Sequence, residues 1–270
     1  MPKFVNTEKV PAHNVFELAN GVIFSSNFDN GNLARVEKTN RAGEYNVWTA
    51  NDNFGTPWQS SHCAAFHFVV SGLEMGTLLK IRVCNAGNHA GLYKHDMRPV
   101  FRSSASNKKW ARIRSPAKFS KSDGVAQLYF EHTVEFSDDK IYFAFTYPYT
   151  YAMVQDDVRA IQAHTNDLSK PDSIFMYHEV LTYSCDGRNV DLITISSTDG
   201  ADDEHKEELL SGLFPEHSAD SPRAPSFPGK EVIFLSARVH PGEVPAQWTF
   251  KGMLDILMNP NDLRAAELRR

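Results

Sequence analysis

The sequence predicts an N-terminal all-β sandwich followed by an α/β region whose mixed sheet, covered by helices, is incomplete. Three observations lead to this prediction. Short β-rich segments separated by turn residues recur up to about residue 150. One of them, Gln127–Phe136, alternates apolar and polar residues, as a strand with one buried face does. Beyond Pro148 the pattern changes, and helical periodicity begins to alternate with β segments.

The first predicted domain spans residues 1–150 and contains only strands. Its turns are rich in Asn, Gly, Asp and Ser, as in Phe28–Asn32 and Ser137–Asp139. Short strands at regular intervals between such turns are typical of a sandwich. The predicted strands are Val22–Ser26, Leu33–Lys38, Tyr45–Thr49, Ala64–Val70, Thr77–Val83, Lys109–Ile113, Gln127–Phe136 and Lys140–Thr146.

The second predicted domain spans residues 151–270 and mixes helices with strands. Apolar residues at helical spacing predict a helix over Tyr149–His164. Two β segments, Ile174–Ser184 and Asn189–Ser196, flank an Asp-Gly pair that favours a hairpin turn. The polar stretch Thr198–Pro228 is predicted to be an exposed loop with a short helix at Glu204–Leu210.

The last part of the chain reads as a strand, a sharp turn and two helices. The run Val232–Leu235 is apolar without alternation, which predicts a strand covered on both faces. Pro241-Gly242 ends this strand, and Pro245 suits the first turn of the helix that follows. A final helix is predicted to begin with Asn259 as its cap and Pro260 at its first position.

Composition excludes several classes of protein. A net charge of −5 over 270 residues does not favour a general nucleic-acid-binding protein. No apolar run approaches the roughly 20 residues of a membrane helix, and the N-terminus lacks the apolar core of a signal peptide. Three widely spaced cysteines argue against a disulfide framework. These features together predict a cytoplasmic protein that binds neither nucleic acid nor membrane.

The motif His-x-x-Glu, a possible metal-ligand pair, occurs three times. In His132–Glu135 the two side chains lie in a strand and point to opposite faces, so they cannot reach one ion. The pair His205–Glu208 belongs to an acidic stretch in which a solvated surface is the simpler interpretation.

The third pair differs because it sits at the end of the predicted buried strand. There the Pro-Gly bend can turn His240 and Glu243 toward one point. Catalytic zinc commonly takes two histidines and one glutamate and keeps a position for water. The alternative is a surface histidine near a helix N-terminus, with Glu243 stabilised by the helix dipole. The residues alone leave both interpretations open.

Six segments of the chain carry a resemblance to a known family. They are Phe24–Lys38, Tyr142–Tyr151, Cys185–Ser196, Phe234–Ala246, Phe250–Gly252 and Leu263–Arg270. These segments resemble the cytosolic carboxypeptidases, which are zinc metallocarboxypeptidases that trim glutamates from protein tails and side chains, tubulin above all. Phe234–Ala246 resembles the family's zinc-ligand segment.

This resemblance implies a zinc cofactor held by His240 and Glu243. It implies that residues 151–270 are the first part of an α/β zinc carboxypeptidase domain. The family's third ligand, a histidine, and its general-base glutamate come later in the chain, and no histidine follows His240. We therefore expect the N-terminal portion of a longer enzyme, inactive alone. Its expected substrate is a polyglutamylated protein such as tubulin, and its expected location is the cytoplasm, in association with microtubules.

Two other functions remain open at this point. One is a non-catalytic module in which the β domain recognises a partner and the peptidase half is lost. The other is a metal-dependent esterase or amidase on a related scaffold, acting on small substrates.

Overall fold

The computed structural model describes residues 14–63, 65–106, 109–170, 172–217 and 222–270. The described residues form two compact units. The β unit contains residues 14–151 together with Arg238–Pro245. The mixed unit contains residues 152–237 and 246–270.

The β unit contains two sheets. Its strands, in chain order, are β1 (Val15–Glu17), β2 (Ile23–Ser25), β3 (Arg35–Lys38), β4 (Glu44–Trp48), β5 (His67–Ser71), β6 (Leu78–Val83), β7 (Val100–Ser103), β8 (Ala111–Arg112), β9 (Lys118–Ser122), β10 (Val125–Thr133) and β11 (Ile141–Ala144). One sheet has the order β1-β2-β5-β11-β7-β8, and the other β3-β4-β6-β10-β9. Pairing is antiparallel except between β4 and β6. A 3₁₀ helix covers Asn88–His95.

The two sheets pack face to face around one apolar core. Strand β10 explains why, because its alternation buries Leu128 and Phe130 while the residues between them stay accessible. Phe130 contacts Phe143 of the opposite sheet with ring centroids 5.5 Å apart. Phe24 and Tyr45 meet across the sheets at 5.0 Å. The predicted sandwich is therefore confirmed.

Each of the eight predicted strands overlaps an observed one, whereas three observed strands were not predicted. Strand β9 carries two lysines and two serines, so its sequence lacks the apolar signal of a buried face. It lies at the edge of its sheet, where polar and charged residues are common. Strands β1 and β7 contain only three and four residues, which is too short for a clear period.

The described residues after β11 form three helices and four strands. They are α1 (Tyr151–Gln162), β12 (Ile174–Tyr183), β13 (Asn189–Ser197), β14 (Asp202–Lys206), β15 (Pro225–Ser226), α2 (Val244–Leu257) and α3 (Leu263–Arg269). Strands β12 and β13 form the predicted hairpin, and β14 pairs with β15. Among the described residues no helix has the length and apolar character to cross a membrane.

Two predictions for the mixed unit are wrong. The expected helix over Glu204–Leu210 is not formed. Asp202–Lys206 instead form β14, which pairs with β15 at Pro225–Ser226, a partner that the local sequence does not reveal. The run Val232–Leu235 is neither a strand nor buried, with Val232 91% exposed. A strand needs a backbone partner, and no described residue pairs with this run.

The cap of the last helix also differs from the prediction. Asp262 is the N-cap of α3, where its side chain accepts hydrogen bonds from the backbone N–H groups of Arg264 and Ala265. Asn259 instead accepts a hydrogen bond from the backbone N–H of Asn261 and stabilises the preceding turn. A carboxylate is the stronger acceptor at a helix N-terminus, because it also complements the helix dipole.

Candidate metal centre

The candidate centre is the turn His240–Glu243, which belongs to the β unit. The backbone N–H of Glu243 donates to the carbonyl of His240 at 3.1 Å, closing the turn. Pro241 occupies the second position, where its fixed φ suits a β-turn. The chain therefore folds sharply enough for the side chains at both ends of the turn to meet.

The two candidate ligands converge on the same point. His240 Nδ1 lies 2.9 Å from Glu243 Oε1, and the backbone N–H of His240 approaches Glu243 Oε2 at 3.4 Å. The side chains are 67% and 43% exposed, so a cation from solvent can reach them. Imidazole nitrogen and carboxylate oxygen are donors that zinc prefers, and the pair therefore fits such an ion in chemistry and accessibility.

The described residues supply only this pair. Within these parts of the chain no group of three or more His, Cys, Asp or Glu side chains is placed to hold a metal ion. The nearest additional imidazole is that of His62, whose ring centroid lies 6.5 Å from that of His240. A complete centre would need further ligands.

Arg238 links the turn to the rest of the β unit. Its Nη1 donates to the carbonyl of Tyr149 at 2.7 Å, and its Nη2 donates to the carbonyl of Pro241 at 2.9 Å. Burial lowers the pKa of the guanidinium from its ordinary value, and the negative charge of Asp29 offsets part of this effect.

Val244, directly after the ligand turn, is buried in the β unit. It is only 3% exposed and borders a cavity of about 20 Å³, which is enough for one water molecule. The same cavity is bordered by His67, a buried histidine of β5. The other lining residues are Asn30, Ala65, Phe66, Ala144, Phe145, Thr146 and Pro148.

The other two His-x-x-Glu pairs do not form sites. The His132 ring packs 4.3 Å from that of Phe101, whereas Glu135 pairs with Arg114 at 3.1 Å, so the two side chains diverge. The His205 ring nitrogen Nδ1 contacts Asp202 Oδ2 at 2.7 Å on an exposed strand. Only the third pair brings its own histidine and glutamate together among the contacts seen here.

Sequence reasoning missed one Asp-His pair in the mixed unit. His178 Nε2 lies 2.8 Å from Asp191 Oδ1, between β12 and β13. Gln162 Nε2 donates to His178 Nδ1 at 2.8 Å, so His178 Nε2 carries the proton and donates to the carboxylate. Gln155 Nε2 donates to the other carboxylate oxygen of Asp191, Oδ2, at 2.7 Å. Both ring nitrogens of His178 are hydrogen-bonded to protein side chains, so neither is free to act as a general base. The histidine instead links α1 to the β12–β13 hairpin.

Sequence reasoning also missed a buried charged cluster in the mixed unit. Glu179 pairs with Arg223 Nε at 2.9 Å and with His217 Nε2 at 3.3 Å. The Arg223 guanidinium stacks over the ring of Phe214 at 4.1 Å. These residues come from β12 and from the long segment between β13 and α2, so no local pattern reveals them. The cluster fixes that segment against the hairpin.

Part of the chain matches a described protein family. Residues 24–146 match the cytosolic carboxypeptidase N-terminal domain. This region covers most of the strands of the β unit.

Similarity to individual proteins extends over nearly the whole chain. The chain is 37% identical over 279 residues to cytosolic carboxypeptidase-like protein 5 of Homo sapiens, and the match covers 93% of this chain and 31% of that protein. The corresponding protein of Danio rerio is 38% identical, over 92% of this chain and 30% of its own length. Cytosolic carboxypeptidase 1 of Homo sapiens is 28% identical, over 93% of this chain and 20% of its own length. The chain thus spans about a third or less of these relatives.

A solved structure shares the fold. The metallo-carboxypeptidase from Burkholderia cenocepacia superposes with a TM-score of 0.59 at 21% sequence identity. The match covers 92% of this chain and 53% of that one. At this identity the likeness concerns the fold.

Proposed function

The chain belongs to the cytosolic carboxypeptidase family, and from this premise we propose that it contributes the β domain and two metal ligands to a zinc carboxypeptidase. The reaction is the removal of glutamates from polyglutamylated proteins, with tubulin as the favoured substrate. The site of action is the cytoplasm, in association with microtubules where the substrate is tubulin. Zinc is held by His240 and Glu243 together with ligands from further polypeptide.

The observation that carries the proposal is the convergence of His240 Nδ1 and Glu243 Oε1 at 2.9 Å on an exposed turn. Of the three His-x-x-Glu motifs, this is the one whose two side chains meet. A backbone hydrogen bond closes the turn and brings the two side chains to the same side.

The residues of this chain would bind and orient the metal. A zinc ion held there supplies Lewis acidity toward the scissile carbonyl. His240 and Glu243 provide one nitrogen and one oxygen donor, and Arg238 holds the carbonyl of the intervening Pro241. No described residue near the turn acts as a third ligand. We therefore propose that residues 1–270 alone bind zinc weakly and do not cleave peptides.

Zinc binding tests the ligand assignment. Zn²⁺ is titrated into the 270-residue chain, and the imidazole resonances are followed by NMR. We expect His240→Ala and Glu243→Ala each to remove the zinc-dependent shift at this site. The matched control is His205→Ala with Glu208→Ala, which removes an equivalent motif and leaves the shift unchanged. An unaltered shift in His240→Ala would contradict the assignment.

Activity is tested in a chimera in which this chain replaces the matching third of cytosolic carboxypeptidase-like protein 5. We expect the chimera to release glutamate from a polyglutamylated tubulin-tail peptide, and His240→Ala to abolish release. The unmodified tail peptide serves as the substrate control. Glutamate release by the 270-residue chain alone would refute its proposed inactivity, and a chimera that binds zinc yet releases none would refute the reaction.

A second candidate is a non-catalytic binding module. Two observations favour it: the β unit has a well-packed apolar core, whereas the candidate metal site has only two ligands among the described residues. Under this function the chain binds a polyglutamylated peptide equally well after His240→Ala, and the chimera is inactive. Fluorescence anisotropy with a labelled tail peptide separates the two candidates.

A further inference from the structure

Arg238 is the described side chain that contacts the backbone between the two candidate metal ligands. Its guanidinium donates to the carbonyl of Pro241, within the ligand turn, at 2.9 Å. The other nitrogen donates to the carbonyl of Tyr149, 89 positions earlier in the chain, at 2.7 Å. One rigid planar group therefore spans from the turn to the end of the sandwich.

The backbone of Arg238 is held in a conformation that an arginine rarely adopts. Its φ is +57°, in the left-handed region. For a residue with a Cβ this conformation costs about 1 kcal/mol or more, so surrounding contacts must enforce it. The bend redirects the chain just before His240. The hydrogen bonds of the Arg238 side chain with the carbonyls of Tyr149 and Pro241 offset the cost of this backbone conformation.

Removal from water adds a second cost. Arg238 is half-buried, and its hydrogen bond to the carbonyl of Tyr149 lies in a partly buried position. An arginine that only covered surface would leave its head group in water. Here the head group donates to two backbone carbonyls, and the contact with Tyr149 is partly buried, which indicates that these hydrogen bonds hold the chain in place.

We propose that Arg238 is a positioning residue of the metal centre, which holds the turn so that His240 and Glu243 converge before any ion binds. This inference rests on the proposed function, because it assigns the residue a role toward the same ligand pair. Preorganised ligands bind more tightly, because the ordering is already present in the metal-free protein. Partners behind metal ligands typically alter affinity by about 10- to 100-fold when removed.

The test compares zinc affinity at His240 in the 270-residue chain and in its variants. Zn²⁺ alone is the probe, and the His240 resonance is identified by its loss in His240→Ala. We expect Arg238→Ala to weaken zinc binding about tenfold, at the low end of the range for such partners. Arg238→Lys keeps the charge but places one donor atom where two are needed, and we expect an intermediate affinity.

A matched control separates positioning from general stability. Arg98 lies in the same unit and also donates to a backbone carbonyl, that of Arg114, at 2.5 Å. Arg98→Ala should leave zinc affinity within twofold of wild type. Urea denaturation of each variant reports the stability change, and if Arg238→Ala does not fold, the Lys variant carries the comparison.

The outcomes distinguish the two proposals. Equal zinc affinity in wild type and both Arg238 variants overturns the positioning role and leaves the ligand assignment intact. Loss of affinity that Arg98→Ala reproduces also overturns it, because stability then accounts for the effect. If wild type shows no zinc-dependent change at His240, the metal site of the proposed function fails, and the positioning role fails with it.

Discussion

His67 makes the stability of the β unit depend on pH. Its side chain lies in an aromatic environment, 4.7 Å from the ring of Phe28 and 5.5 Å from that of Trp110. Neither ring nitrogen makes a hydrogen bond of ordinary geometry with a described residue. Burial lowers the pKa of His67 from 6.5 to about 4; the charge of Arg102 acts in the same direction, and the backbone of Asn30 offsets part of the shift. The folded protein therefore keeps this histidine neutral.

The size and sign of the effect follow from proton linkage. Below its ordinary pKa the unfolded chain binds a proton at His67, which the folded chain takes up only near pH 4. The free energy of unfolding therefore falls as the pH decreases through this window. At about 1.4 kcal/mol per pKa unit, the whole shift corresponds to about 3 kcal/mol. About 2 kcal/mol of this is lost between pH 7 and pH 5.

The assay is urea denaturation of wild type and His67→Phe at pH 7 and at pH 5. Phenylalanine keeps a planar ring among the aromatic neighbours and cannot bind a proton. We expect the variant to gain about 2 kcal/mol relative to wild type on going from pH 7 to pH 5. His95→Phe, at an exposed histidine of the same unit, is the control. A difference between wild type and His67→Phe that stays the same at both pH values would refute the reasoning.

Three further substitutions test the packing. Phe234→Lys changes a side chain that is 77% exposed, so stability should change by less than about 0.5 kcal/mol while binding of a hydrophobic dye decreases; a large loss would mean that the side chain is buried. Gly72→Ala places a Cβ 2.2 Å from a backbone carbonyl oxygen at a φ of +75° and should cost roughly 2 kcal/mol or more in thermal or urea unfolding. The control Gly76→Ala, with φ +85° and no atom within 4 Å, should cost only about 1 kcal/mol, and equal losses would exclude the clash. Glu179→Gln leaves the buried Arg223 charge without its partner and should cost about 3 kcal/mol by urea denaturation, whereas a neutral result would show that the pair contributes nothing.

The sandwich could be predicted because its signal is local. A strand with one buried face alternates along its own sequence, as Gln127–Phe136 does, and the core then follows from the buried face. Strand β9 escaped prediction because an edge position does not require apolar residues. The pairing of β9 depends on the neighbouring strand β10, and the residues of β9 alone do not indicate it.

The same distinction applies to the candidate site. The spacing of His240 and Glu243 around Pro-Gly predicts their convergence, since four residues define the whole turn. The contact of Arg238 with Tyr149 joins positions 89 residues apart and depends on the complete fold of the β unit. Likewise the cluster of Glu179 with Arg223 depends on how a long segment returns to β12.

The apolar run Val232–Leu235 has the sequence pattern of a buried strand, but no described strand pairs with it. Unbroken hydrophobicity predicts burial on both faces, yet Val232 is 91% and Phe234 77% exposed. No described residue forms a backbone hydrogen bond with residues 231–237. Neighbouring strands on the two edges would pair the peptide groups of this run, and layers packed on its two faces would cover the exposed apolar side chains. A hydrophobic pattern therefore indicates the environment that a segment suits. Whether the fold provides that environment depends on strands that pair with the segment, and these are set by other parts of the chain.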